Sequence, residues 1–285
     1  MKDVYVDLHV HTNYSDGSFT PEETVRYAQK IGLCGIAITD HDITDAIAPA
    51  IKEGAKRGIE IVPGIELSVD LEDNSIGEMH ILGYYLDWEN TVFQNKLKQF
   101  RETRKERAIK ILEKLSENGI TLDQNKLLSG KTNIAIGRLH IAKMMHEQGF
   151  VRNIKEAFTK YLANNMPAYV PKFKLSPEEA IGMIKSVKGI AVLAHPYYGN
   201  LSDKTFLSNL IKMGLSGIEA WHTKHSLATQ EKFTEIAHEL NLLITGGSDC
   251  HGTAIKDKPL MGTQNIPYEA LLFLKKTKHQ IDHSV

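Results

Sequence analysis

Seven short aliphatic runs recur along this chain, and a stretch with helical signals follows most of them. They cover residues 4–8, 35–39, 59–63, 79–86, 190–194, 217–220 and 242–245. Runs of this length read as buried strands, and strands alternating with helices specify an α/β fold with a largely parallel sheet. The helix starts are explicit. Thr20-Pro21-Glu22-Glu23 and Ser176-Pro177-Glu178-Glu179 each supply an N-cap, a proline at the first helical position and a glutamate that closes a capping box. Each apolar run ends in a polar or ionisable residue, which predicts a (β/α) barrel with its site at the carboxyl ends of the strands.

The rhythm breaks between residues 89 and 174. This segment is helix-rich, with one long amphipathic helix over 96–117 and further helices near 139–148 and 154–162. We read it as an insertion over the barrel mouth, which leaves residues 1–88 and 175–285 to form the barrel. The long helix carries Lys96, Lys98, Arg101, Arg104, Lys105, Arg107, Lys110 and Lys114, with Glu102, Glu106 and Glu113 interleaved at salt-bridging distances. That pattern predicts a solvated, self-paired face rather than a nucleic-acid track.

With 34 basic and 35 acidic residues, no global field points to a membrane or to nucleic acid. No apolar run reaches membrane-spanning length, and the N-terminus enters a strand without signal-peptide character. The two cysteines, Cys34 and Cys250, are too few for a disulfide framework, so a cytoplasmic location is expected. No obligate protein partner is evident.

Histidine and carboxylate residues gather at the strand ends. His9 and His11 close the first strand two residues apart, so both imidazoles lie on one face. Asp16 follows in a turn, His41 ends the second strand, and Glu66 comes after the third. His80 opens the fourth run and His195 closes the fifth. Asp249 and His251 repeat the two-residue spacing after the last. One histidine at a strand end is ordinarily a hydrogen-bonded core residue, and one aspartate after a strand is ordinarily a helix cap. At least six strand ends carrying such a residue make the joint reading a metal site, because burying so many charges unaided would cost several kcal/mol each. His80 is the member least fixed by spacing. Cys250 alternates away from its neighbours and is expected behind the site.

In their contexts these nine residues resemble the ligand pattern of the PHP (polymerase and histidinol phosphatase) family. The contexts are Asp7-Leu8-His9-Val10-His11, Ser15-Asp16-Gly17, Thr39-Asp40-His41, Gly64-Ile65-Glu66, Ala194-His195-Pro196 and Gly247-Ser248-Asp249-Cys250-His251-Gly252. The resemblance implies a distorted (β/α)7 barrel and three divalent ions, manganese, iron or zinc. His9, His11, Glu66 and Asp249 would surround one ion. Glu66 would be shared with a second, which also takes His80 and His195, and Asp16, His41 and His251 would hold the third. Phosphoester hydrolysis is then expected by attack of a metal-bridging hydroxide, with Glu66, Asp249 and His195 acting through that hydroxide.

Asp16-Gly17-Ser18-Phe19-Thr20-Pro21, Ile136-Gly137-Arg138-Leu139-His140 and Gly217-Ile218-Glu219-Ala220-Trp221 further resemble stand-alone members of the family. Those act on nucleoside 3′,5′-bisphosphates and on short 5′-phosphorylated RNA. Here Gly-Arg-Leu-His stands for the usual Gly-Arg-Pro-His, and Trp221-His222 stands for a Tyr-Tyr pair. A substrate with a second, uncleaved phosphate needs a cationic anchor, for which Arg138, His225 and Lys172 are the candidates. Tyr197, Tyr198 and Trp221 follow strand ends, where an aromatic ring can stack a base. The competing expectations are a histidinol-phosphate phosphatase and a non-catalytic metal-binding module.

Overall fold

The structure, a computed structural model, describes residues 4–69, 79–128, 134–171, 175–199, 201–253 and 258–284. The expected anchor Lys172 lies outside the described residues.

The strands are β1 (Tyr5–Val10), β2 (Gly35–Ile38), β3 (Glu60–Val69), β4 (Met79–Tyr84), β5 (Ile190–Leu193), β6 (Gly217–His222), β7 (Leu243–Gly247) and β8 (Ile266–Pro267). They form one sheet in the order β7-β6-β5-β4-β3-β2-β1-β8. The sheet curls into a nearly closed barrel, whose seam is a parallel bridge between Val10 and Cys250. There the His11 N–H donates to the Cys250 carbonyl at 3.0 Å. Surrounding helices include α1 (Pro21–Lys30), α2 (Ile47–Arg57), α7 (Pro177–Ser186), α8 (Lys204–Met213), α9 (Leu227–Glu239) and α10 (Tyr268–His283). Both expected capping boxes form, at Thr20 with Glu23 and at Ser176 with Glu179. Among the described residues, no helix is long and apolar enough to cross a membrane.

Three features depart from the expected barrel. First, β4 runs antiparallel to both β3 and β5. Only nine residues separate β3 from β4, and a parallel crossover needs about a dozen or more. Second, β3 does not stop at Pro63 but continues to Val69 in register with β4. Glu66 therefore sits inside a strand, opposite Leu82, rather than in a loop after it. Third, a two-residue strand, β8, pairs antiparallel with β1 through Tyr5 and Val6. It is too short to leave a periodic signal. The reversal of β4 also explains His80, since the N-terminal end of an antiparallel strand shares a rim with the carboxyl ends of its parallel neighbours.

Val6, Leu8, Ala37, Val62, Leu82, Tyr84, Ile190, Val192 and Ala194 form one buried cluster with Ala270, Leu271 and Leu274 of α10. Fully burying an aliphatic side chain of this size contributes about 1.5–3 kcal/mol. Between β4 and α7 lie α3 (Thr91–Glu117), α4 (Gln124–Leu128), α5 (Arg138–Glu147) and α6 (Ile154–Ala157), the last continuing as a π-helical turn over Phe158–Leu162. The long helix α3 serves two cores. Phe93 and Leu97 pack with the barrel, whereas Ala108, Ile111, Leu112 and Leu115 pack with α5 and the following turn.

The seam requires glycine at 247. A Cβ there would lie 2.3 Å from the His9 Cβ and 2.5 Å from the His9 nitrogen. Gly247→Ala is expected to push β7 off β1 and to destabilise the protein by about 1–3 kcal/mol, as overpacking does. Urea unfolding of the metal-free protein measures this, and an unchanged midpoint would contradict the close approach.

Candidate metal centre

Alternation along β1 turns His9 and His11 to the same face, where both are buried. Their Nε2 atoms lie 3.1 Å apart. His11 Nε2 is 3.2 Å from Glu66 Oε2 and 3.1 Å from Asp249 Oδ1. The other Glu66 oxygen, Oε1, lies 2.7 Å from His80 Nδ1 and 2.9 Å from His195 Nε2. Glu66 Oε2 also lies 3.0 Å from His41 Nδ1. On the far side of His11, Asp16 Oδ1 is 3.2 Å from His251 Nε2, and Asp16 Oδ2 is 3.8 Å from His41 Nε2. The nine residues expected at the strand ends are thus brought to one rim.

Among the described residues, donor atoms within 4.8 Å of one another form three groups: His9, His11, Glu66 and Asp249; His41, Glu66 and His80; and His11, Asp16, His41 and His251. His195 Nε2 lies beside two members of the second, 3.2 Å from His80 Nδ1 and 2.9 Å from Glu66 Oε1. Imidazole nitrogens turned toward one another and toward carboxylate oxygens have lone pairs with no hydrogen between them, unless protons or cations intervene. Mixed imidazole and carboxylate groups of this kind are able to bind divalent transition metals. The residues present fit such ions.

The loops carrying these groups are fixed by buried carboxylates that are not in the groups. Asp40 accepts from the Thr12 N–H at 2.7 Å and from the hydroxyls of Thr12 and Ser15, which holds the turn bearing Asp16. Asp7 accepts from the Ser248 N–H at 2.9 Å and the Gly262 N–H at 2.8 Å, which holds the turn bearing Asp249. His195 and Asp249 both adopt positive φ, 24° and 53°. Non-glycine residues are seldom held there, and such strain concentrates at functional sites.

Electrostatics follow from this packing. Burial alone would raise Glu66, but His41, His80 and His9 hold its carboxyl well below the usual range. Burial is likewise outweighed at Asp16 by His251 and His41, and at Asp249 by His251 and His9. In the opposite sense, burial would lower His11, yet Asp249 and Glu66 push it up to about 10. The Cys250 thiol is pushed up to about 11 by burial and accepts from the Gly252 N–H, so it packs behind the site as a poor nucleophile.

A cavity of about 500 Å³ opens beside this rim, lined by Asp16, His41, His80 and His251 together with Arg104, Arg107, Arg138 and Lys155 of the insertion. Arg138 begins α5, and its Nη1 donates to the Leu162 carbonyl at 3.1 Å and to Asn164 Oδ1 at 3.2 Å. His225 is placed differently. It is buried, its Nδ1 lies 2.7 Å from the Ala220 carbonyl, and its ring packs against Phe233 and His222. A carbonyl only accepts, so Nδ1 carries the hydrogen, and burial lowers the ring's basicity.

The arginines of α3 are not solvated, contrary to the reading of that helix as a self-paired face. Arg101, Arg104 and Arg107 are all buried. Arg104 is anchored by Asp42, to which its Nε donates at 2.8 Å, and Arg107 Nε donates to the Val170 carbonyl at 2.8 Å. A signal was present in the chain. Arginine recurs at 101, 104 and 107, while lysine takes most other basic positions of the helix.

A mixed barrel with an imidazole and carboxylate rim is the architecture of a metal-dependent phosphoesterase. The chain belongs to the PHP family, whose profile, described as PHP domain, matches residues 7–166. It is 33% identical over 267 residues to the 3′,5′-nucleoside bisphosphate phosphatase of Chromobacterium violaceum, covering 92% of each chain. It is 34% identical over 257 residues to the 5′-3′ exoribonuclease Rnm of Escherichia coli, covering 87% of this chain and 85% of that one. Among solved structures, a Bifidobacterium adolescentis protein described as a metal-dependent phosphoesterase superposes with a TM-score of 0.87 at 29% identity, over 95% of this chain and 96% of that one.

Because a bound metal needs neutral imidazole, metal must displace protons from histidines that the neighbouring carboxylates make more basic. At pH 8 His11 is still protonated in the metal-free protein, since its proton is lost only near pH 10. Adding zinc to chelator-treated protein in weak buffer at pH 8 is therefore expected to release protons. The release should shrink as the starting pH approaches 10, and metal affinity should rise over the same interval. Proton-release titration checks this, and binding without proton release at pH 8 would contradict it.

Proposed function

We propose that this chain hydrolyses phosphate esters of nucleotides that carry a second phosphate, foremost nucleoside 3′,5′-bisphosphates, and that short 5′-phosphorylated single-stranded RNA enters the same site. The observation that carries this reading is a cavity in which Asp16, His41, His80 and His251 share the lining with Arg104, Arg107, Arg138 and Lys155. The names of the Chromobacterium and Escherichia relatives support it.

In this reading three divalent ions, manganese, iron or zinc, are held by the chain. His9, His11, Glu66 and Asp249 take one, Glu66 with His80 and His195 takes a second, and Asp16, His41 and His251 take the third. Such ions lower the pKa of water and neutralise charge on a phosphoryl group. The chain's own residues do the rest. Glu66, with both oxygens among imidazoles, keeps the donor groups together. Arg138, steadied by Leu162 and Asn164, presents its guanidinium to the phosphate that is not cleaved. Arg104, oriented by Asp42, adds charge from the same wall. Lys172 is retained as a third anchor. His225, neutral and turned to Ala220, serves His222 as a packing neighbour rather than supplying a cation. The insertion acts as a lid over the mouth. An amino-alcohol phosphate such as histidinol phosphate would bring its ammonium toward these arginines, so that reading is disfavoured.

The test is phosphate release with manganese from adenosine 3′,5′-bisphosphate, AMP, histidinol phosphate and a 5′-phosphorylated oligoribonucleotide. Preference for the bisphosphate or the oligonucleotide is expected; preference for histidinol phosphate would overturn the proposal. Arg138→Ala should raise KM for the bisphosphate about 10–100-fold, the loss of one charge-assisted contact, and change KM for AMP much less. Equal increases for both would remove Arg138 as the anchor of the second phosphate. Asp249→Ala should abolish turnover while circular dichroism shows the fold retained.

A further inference from the structure

Glu219 is a fully buried carboxylate in the middle of β6 and belongs to none of the three donor groups. Its two oxygens are separately committed. Oε1 lies 3.0 Å from His9 Nδ1, on the side of that ring away from Glu66 and Asp249. Oε2 accepts from the backbone N–H of His195 at 2.7 Å. An ionised carboxylate only accepts, so Nδ1 of His9 carries a hydrogen, and in the neutral ring that a metal needs, the lone pair falls on Nε2, facing the rim. The second bond holds His195 in its positive-φ turn, from which Nε2 reaches Glu66. Asp7 and Asp40 are buried as well, but they bond backbone and hydroxyl groups of loops rather than a ligand ring.

We infer that Glu219 is a positioning residue that fixes the tautomer of His9 and the turn of His195, and so acts directly on two of the three proposed metal sites while bonding no donor assigned to the third. The inference rests on the metal reading given above. A carboxylate behind a ligand imidazole orients the ring and raises its basicity, and removing one weakens metal binding about 10–100-fold. Glutamine at 219 cannot reproduce the pair of bonds. Its single carbonyl oxygen serves one partner, and its amide hydrogens oppose the other.

The experiment is zinc and manganese binding to the chelator-treated full chain, measured by chelator competition and metal analysis for the wild type, Glu219→Gln and a control, Glu53→Gln. Glu53 is also a buried carboxylate, paired with Lys56 and Arg57 on α2, away from the donor groups. Glu219→Gln is expected to weaken two sites about 10–100-fold and spare the third, whereas Glu53→Gln leaves all of them unchanged. Unchanged binding in Glu219→Gln, or equal weakening of every site, would overturn the inference. A wild type that binds no metal would instead overturn the reading beneath it, and this inference with it. Should Glu219→Gln fail to fold, 15N-histidine NMR of the zinc-loaded wild type decides the point. The hydrogen of His9 is expected on Nδ1, and finding it on Nε2 would overturn the assignment.

Discussion

One buried carboxylate organises the centre of this protein. Glu66 lies within 3.4 Å of the imidazoles of His9, His11, His41, His80 and His195, which come from four different strand ends. Removing a carboxylate from water costs several kcal/mol even after relaxation, so its position is stable only while those cationic or metal-bound partners converge on it. Convergence in turn demands that β1, β2, β4 and β5 end at one rim, and the reversal of β4 brings His80 there. The sheet geometry and the charge compensation are thus one constraint seen from two sides.

That constraint explains why so much of the centre was legible in the sequence. His9 and His11, and Asp249 and His251, keep a spacing that strand geometry converts directly into a shared face. The two Thr/Ser-Pro-Glu-Glu starts announced helices that form where expected. What was hidden depended on partners distant in sequence. Glu66 lies past the aliphatic run over 59–63 that marks the third strand, yet pairing with β4 carries the strand through it. The arginines of α3 looked solvated because helical spacing offers them glutamate neighbours. Tertiary contact with Asp42 for Arg104 and with Val170 for Arg107 turns them inward. Glu219 stands within Gly217-Ile218-Glu219-Ala220-Trp221, where a lone carboxylate in a strand gives no sign of the ring it serves.

The insertion joins the barrel's chemistry through the same logic of compensation. The rim supplies carboxylates whose charge suits cations, and the insertion supplies arginines whose charge suits anions. The cavity between them therefore presents both signs across a short distance. The proposed substrate, a phosphate ester with a second phosphate, would fit that arrangement, one end toward the carboxylate rim and the other toward a planar guanidinium fork. Asp42 makes this more than proximity. It extends from the loop after β2, adopts a positive φ of 53°, and anchors Arg104 from the insertion. The loop that carries His41 is thereby tied to the helix that lines the cavity.

Holding these charges has a structural cost that is distributed rather than local. Asp42, His195 and Asp249 each hold a backbone conformation that side-chain-bearing residues seldom adopt. Each is steadied by a bond that a flexible loop would not provide: Arg104 to Asp42, Glu219 to the His195 N–H, and Asp7 to the Ser248 N–H. Those steadying groups are themselves charged and mostly buried, so they too depend on the barrel staying closed. The Val10 to Cys250 seam, with Gly247 against His9, links the strand that carries His9 and His11 directly to the turn that carries Asp249 and His251. Opening that seam would release His9 and Asp249 together. Barrel closure and the integrity of the centre are consequently cooperative, and a substitution at the seam reaches the site without touching any donor atom.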